Sequence, residues 1–333
     1  MQQLVLKCFT ILVLTLAILS CKSRRADIDL GKINIKTTEI HRYEKALFTI
    51  NPEQLSQGLT AIGGEYKIFL GDQYLDQANI IRLKSFISDT SMEALYHATM
   101  LCYPDLTKQS NELTQAFRYF KYYFPENATP EVYTYISGLD VDNPVRYSEQ
   151  GIIISLDLFL GGNEPIYVKS GLPRYKTERM KSEFITPLCM EEIARSLIFM
   201  NEERQNLLDI MIAEGKILYF ADITLPKVQD ALKIGYSPAQ LNWCIDNEAR
   251  IWSFLVENNL LFTTDKEAIS KMMTDGPFTS GFGQVSPGRI GSWVGWQIVK
   301  NYMQRNPDEP VEKMMKEKDS QKILEGSRYK PRK

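Results

Sequence analysis

The sequence predicts an α+β protein, mostly helical, with one small β-sheet packed by helices. Three observations carry that reading. Long stretches repeat apolar residues at intervals of three and four, the period of a buried helix face. Two short stretches differ: PEVYTYISG alternates and is rich in β-formers, and GIIISLDLFLG is an apolar run bounded by glycines. Finally, 44% of the 333 residues are hydrophobic, which is enough for a substantial core.

Taken in order, Pro52 to Leu70 fits a helix with Leu55, Leu59, Ile62, Tyr66 and Phe69 on one face. Leu106 to Phe124 repeats the pattern with Leu113, Phe117, Phe120 and Phe124. Its run FRYFKYYFP reads as a core helix with tyrosine rims rather than a membrane-surface helix. The two β-like stretches read as neighbouring strands. Helical signals return over Thr177–Met200 and Glu203–Lys216. Ser237-Pro238-Ala239-Gln240 then combines an N-cap serine, a proline at the first helical position and a capping-box glutamine. The stripe Leu241, Ile245, Glu248, Trp252, Leu255 follows on a helix expected over 237–258. Glu248 is a carboxylate on an apolar stripe, and a buried charge requires a partner. Ser286-Pro287 predicts another cap, with Gly288 and Arg289 in the first turn. Gly291 and Gly295 form a smooth strip, and Ile290, Val294, Ile298, Trp293 and Trp296 make a buried surface. This helix is expected to pack on the 237–258 helix, with Arg289 paired to Glu248 or to a ligand carboxylate.

The amino terminus addresses location. Lys7 precedes the apolar run Cys8 to Leu19, followed by Ser20 and Cys21. The run is shorter than the ~20 residues of a membrane-spanning helix and suits a signal peptide. Its end resembles the lipobox of bacterial lipoproteins, in which cleavage between Ser20 and Cys21 exposes the cysteine for acylation. Residues 1–20 are then a lipoprotein signal peptide and residues 21–38 a charged tether. A single globular domain is expected over 39–306, with a charged extension over 307–333 packed on it or trailing from it. The tether lacks a lysine-plus-acidic export pair, so the body is expected in the periplasm, anchored to the outer membrane. Cys102, Cys189 and Cys244 remain after processing, and their spacing suits core thiols rather than a metal site.

Composition excludes several function classes. The formal net charge of −2 does not suit a nucleic-acid partner. The only histidines, His41 and His97, are too far apart for helical or metal-ligand spacing and read as surface or satisfied side chains. A Walker loop, a strand-linked GxGxxG and a GxSxG elbow are all missing. No catalytic residue, metal site or cofactor is expected.

Several stretches together are identified as those of a known family: YFKYYFP, ISLDLFLG, LPRYKTERM, MIAEGKILYFAD, KIGYSPAQLNWCIDNEARIW, SPGRIGSWVGWQIVKNYM and ILEGSRYKP. They resemble the gliding-motility lipoprotein B family (GldB) of Bacteroidetes from about Ile40 to the end. The resemblance implies an envelope lipoprotein linked to gliding motility and to type IX secretion, with partners among that machinery and with the membrane through its lipid. The chain is also similar, more distantly, to zinc peptidases of the HExxH type. That likeness implies a zincin-like degenerate core: ITPLCMEEIARSL would match the metal-binding helix but carries no histidine, and Glu248 would match a later glutamate. The implied vestigial cleft comprises Glu191, Glu192, Glu248, Arg289, Trp293 and Trp296. Three functions follow in order of preference: a non-enzymatic assembly or stabilising lipoprotein, a peptide-binding module using that cleft, and a metal-dependent hydrolase without histidine ligands.

Overall fold

A computed structural model describes residues 28–198 and 205–331. The expected signal peptide, Ser20 and the expected acylation site Cys21 lie outside these residues, as do the helix ends expected at Met200 and Glu203. Residues 28–34 form a unit by themselves. Its one turn, Leu30–Lys32, is capped by the Asp29 carboxylate, which accepts the Gly31 N–H at 2.8 Å.

From Ile35 onward the chain builds around a four-stranded sheet. Its strands are β1 (Ile40–Arg42), β2 (Val132–Tyr135), β3 (Val145–Ser148) and β4 (Gly151–Ser155), in the order β1-β2-β4-β3. The two strands read from sequence are direct neighbours: β2 and β4 run parallel with Val132 opposite Ile152. Strands β1 and β3 complete the edges, parallel and antiparallel respectively. Alternation along β2 divides two cores. Val132 points into the main core, while Tyr133 and Tyr135 pack against a satellite core.

The satellite core is built by α1 (Tyr43–Phe48), α2 (Leu55–Ile62), α3 (Lys67–Leu70) and α4 (Gln77–Ile87), and α5 (Thr90–Cys102) flanks it with Tyr96 stacked on Phe48. The helix expected over 52–70 is therefore broken. The Gly63-Gly64 pair lies in a turn between α2 and α3, as the low helix propensity of glycine favours. Leu55, Leu59 and Tyr66 still face inward. His41 stacks on Tyr133 at 5.0 Å and meets the Glu65 carboxylate at 2.8 Å, whereas His97 is exposed.

The main core begins with α6 (Thr107–Tyr123), whose aromatic run buries Phe117, Phe120 and the following Phe124 and leaves Tyr122 outside. Short helices α7 (Pro165–Lys169) and α8 (Arg174–Thr177) lead to α9 (Ile185–Leu197), which packs on β3, and α10 (Leu207–Thr224). Asn206 and Asp209 cap α10 reciprocally at 3.0 Å each. Then come α11 (Asp230–Ile234), α12 (Pro238–Asp246), α13 (Glu248–Glu257), α14 (Lys266–Met273), α15 (Ile290–Arg305), α16 (Val311–Lys316) and α17 (Ser320–Ser327). The last two helices place Met314, Met315 and Ile323 in the main core.

Three local expectations require correction. The capping box forms, with Ser237 N–H donating to Gln240 Oε1 at 2.9 Å and Gln240 N–H to Ser237 Oγ at 3.2 Å. The helix nevertheless breaks at Asn247, whose side-chain amide donates to the Trp243 carbonyl at 2.9 Å. Such side-chain-to-backbone bonds compete with helix continuation, and Ile245 ends up exposed. Ser286 does not cap α15: its hydroxyl donates to the Gly283 carbonyl at 2.7 Å and accepts the Thr279 N–H at 3.2 Å, which stitches the preceding loop. The helix starts instead after Arg289, in left-handed backbone with φ 55°. Finally, the Gly291/Gly295 strip does not face the 238–257 pair: Gly291 packs on Met272 and Met273 of α14, and Gly295 on α10, where a Cβ would lie 3.1 Å from Met211 Cα and closer still to its carbonyl. Of the cysteines, Cys189 and Cys244 are core thiols, whereas Cys102 is exposed at the end of α5.

Candidate functional site: a cavity beside two arginines

A cavity of about 1400 Å³ opens among the segments that precede α9, α12 and α15. Its volume exceeds the usual few hundred to ~1,000 Å³ of small-ligand sites, so it suits an extended ligand. Acidic and basic side chains balance along its lining, Glu112, Glu178, Glu183 and Asp275 against Arg174, Arg179, Lys181 and Lys227. Between them stand the rings of Tyr119, Tyr175 and Tyr236 and amides such as Gln115 and Gln240. Such a mixture can meet backbone amides, charged side chains and apolar groups within one ligand.

One corner of the cavity is strongly structured. Gly235 ends α11 in left-handed backbone, φ 72°. It leaves room for two guanidiniums: a Cβ there would fall 2.9 Å from Arg179 Cδ and 3.5 Å from Arg289 Nη2. Arg289 Nη2 donates to the Ile234 carbonyl at 2.7 Å. Asp275 binds Arg179 closely but comes no nearer than 3.8 Å to Arg289 Nε. That Nε–H is buried and has no hydrogen-bond acceptor, an omission of order 1–3 kcal/mol. Next to it the Tyr236 hydroxyl donates to the Gly288 carbonyl at 2.7 Å, and burial pushes this phenol's pKa up.

Behind the corner lies a second charge group. Pro187 of α9 lines the cavity, and Glu191 sits one helical turn further on the same face. Burial pushes the Glu191 carboxyl up to about 7, against the opposing pull of Arg289 and Arg195. Arg195 links the neighbouring carboxylates, with Nη1 at 2.6 Å from Glu214 Oε1 and Nε at 3.3 Å from Glu192 Oε1. The resident cation of this carboxylate group is thus a guanidinium. Among the described residues, no three His, Cys, Asp or Glu side chains converge as metal ligands would.

Of the residues that the zinc-peptidase likeness grouped, Glu191, Glu192 and Arg289 share this region. Glu248 does not join them: its carboxylate accepts the Tyr329 hydroxyl at 2.8 Å, so the expected Arg289–Glu248 pair is absent. The glutamate that α9 meets through Arg195 is Glu214, on α10. Trp293 and Trp296 are 2% and 0% exposed, too buried to line a cleft. Trp296 Nε1–H donates to Asp222 at 2.9 Å, and Lys300 stands 3.5 Å above its ring. Sequence reasoning missed Arg179, Asp275, Arg195 and Glu214. A signal for Glu214 existed: in MIAEGKILYFAD it interrupts a helix apolar on every side, where a charge requires a partner.

No helix among the described residues is long and apolar enough to cross a membrane. No curated protein and no solved structure matches the chain. The profile described as gliding motility protein GldB matches residues 23–331. The chain therefore belongs to the GldB family of gliding-motility lipoproteins, which brings with it a role in gliding motility and an association with the cell envelope.

Proposed function

We propose that this chain is a non-enzymatic lipoprotein that assembles or stabilises the gliding-motility and type IX secretion machinery, anchored in the outer membrane with its body in the periplasm. On this reading the cavity holds an extended peptide segment of a partner. The observation that carries it is the cavity itself, whose size and balanced lining suit a polypeptide better than a small metabolite. The resident arginine supports a non-enzymatic role. Helix α9 has no imidazole, and its Arg195 occupies the carboxylates of Glu192 on the same helix and of Glu214 on α10.

The test is crosslinking of the acylated protein in its native envelope, followed by capture, with Cys21→Ala as control. Motility or secretion components recovered only with the anchored form support the proposal. Normal gliding and secretion in a clean deletion strain would sink it. One observation favours a hydrolytic reading instead: Glu191 is held near neutrality, where a general base works. Peptide hydrolysis abolished by Glu191→Gln would establish that alternative.

A further inference from the structure

We propose that the Arg179–Arg289 corner is the carboxylate subsite of the cavity, occupied at rest by Asp275 and taken over by an acidic group of the bound peptide. The inference rests on the peptide-binding reading above and names its polar anchor. Each guanidinium offers five N–H donors. Among the described residues Asp275 is the one carboxylate within 4.0 Å of both, and it satisfies them unequally. Arg179 takes Oδ2, while Arg289 Nε is left 3.8 Å from Oδ1 with no acceptor. A carboxylate entering from the cavity can bridge both guanidiniums, and bidentate pairing of this kind is among the strongest hydrogen-bonded contacts.

The corner is built for this rather than for general cohesion. Arg289 is held in left-handed backbone, φ 55°, which is strained for a non-glycine residue. Gly235, by lacking a Cβ, leaves room for Arg179 on the cavity wall and for the Arg289 guanidinium directly behind it. Asp275 can leave without unfolding anything, because it is exposed and stands at the start of the loop 275–288. That loop leaves Phe278 and Val285 exposed. Its own closure depends on Thr279 and Ser286, not on Asp275. A carboxylate displacing a carboxylate keeps the local charge unchanged, so a monoanionic group is favoured over a phosphate.

The test uses full-length acylated protein in detergent micelles and three pools of random octapeptides. One pool lacks Asp and Glu but has a free C-terminus; a second is the same pool amidated. The third is amidated but contains Asp and Glu. Retention of the first or the third pool over the second by about tenfold is expected, from one charge-assisted contact. Which of the two is retained separates a chain terminus from an acidic side chain. Asp275→Asn should tighten the favoured pool severalfold, and Arg179→Gln should weaken it at least as much. A purely structural corner would not give these opposite signs. Equal retention of all pools, unchanged by Asp275→Asn but lost in Leu232→Arg on the cavity wall, would overturn the subsite and leave the cavity reading standing. Retention of no pool by the parent protein would overturn both.

Discussion

Replacement of Gly295 by alanine tests the centre of the fold. Gly295 on α15 and Gly215 on α10 let the two backbones touch: a Cβ at Gly215 would lie 2.8 Å from the Trp296 amide nitrogen, and one at Gly295 would lie 3.1 Å from Met211 Cα. Ordinary Cβ contacts begin near 3.4 Å, and both obstacles are main chain, so no rotamer change can relieve the clash. The helices must separate, loosening Trp293, Trp296 and Ile298, all at most 2% exposed. Overpacking of side chains costs about 1–3 kcal/mol, and a backbone obstacle belongs at or above the upper end. The better helix propensity of alanine returns about 1 kcal/mol. The net loss is then about 2 kcal/mol or more, a fall of roughly 4–8 °C in Tm at 2–4 °C per kcal/mol. Thermal unfolding followed by circular dichroism and tryptophan fluorescence reads it directly. Gly64→Ala is the control, since nothing lies within 4 Å of its added Cβ. Parental melting of Gly295→Ala would refute the close crossing of α10 and α15.

Asp222→Asn should cost about 3 kcal/mol, because Lys233 at 2.9 Å is 3% exposed and loses its buried counter-charge. The Asp230 contact at 3.0 Å softens the loss, and a lower urea midpoint measures it. Glu191→Gln should flatten part of the pH dependence of stability. The folded pKa of Glu191 is raised to about 7, so in the wild type the folded state binds more protons than the unfolded one between about pH 4.5 and 7, and stability falls as pH rises across that window. The variant should gain on the parent by at most about 3 kcal/mol between pH 5 and pH 8, and parallel curves would contradict the raised pKa of this half-buried carboxyl. Cys102 should react with a maleimide in the native protein, whereas Cys189 and Cys244 should label only after unfolding. Counting adducts by mass spectrometry decides the matter.

Helical periodicity made most of the fold legible, and the reason is physical. A run such as Leu113, Phe117, Phe120 and Phe124 has one way to bury its apolar groups. The central strands were legible because β2 and β4 are rich in β-formers, whereas β1 spans three residues and β3 carries Arg146 and Ser148 at exposed positions. The continuous stripe through Glu248 misled. A stripe reports which residues face inward, and a two-helix path broken at Asn247 buries Glu248, Ile251 and Leu255 equally well. The candidate site was least legible. Arg179, Gly235, Asp275 and Arg289 come from four separate stretches, and no local spacing announces a corner that exists only after α11, α12 and α15 have docked. Arg289 itself was visible, but its partner was not: proximity in a supposed helix pair suggested Glu248, and tertiary packing gave Glu248 to Tyr329.

Arg289 also shows how the core and the cavity depend on each other. Left-handed backbone is unfavourable for an arginine and persists only where the surroundings over-determine it. They do so here from both sides. Immediately downstream, Ile290 is 0% exposed, and Gly291 allows no more than 3.1 Å between an added Cβ and the Met272 carbonyl, so the first turn of α15 cannot shift. Immediately upstream, the Gly288 carbonyl is held by the Tyr236 hydroxyl at 2.7 Å. The guanidinium is therefore aimed by contacts at the start of α15, where Gly291 packs on α14 and reaches Met211 of α10, so the glycine strip positions the cavity wall as well as packing the core. Loosening the crossing by Gly295→Ala should then reduce peptide retention by the cavity along with stability. Arg179→Gln, which leaves the crossing intact, should reduce retention alone.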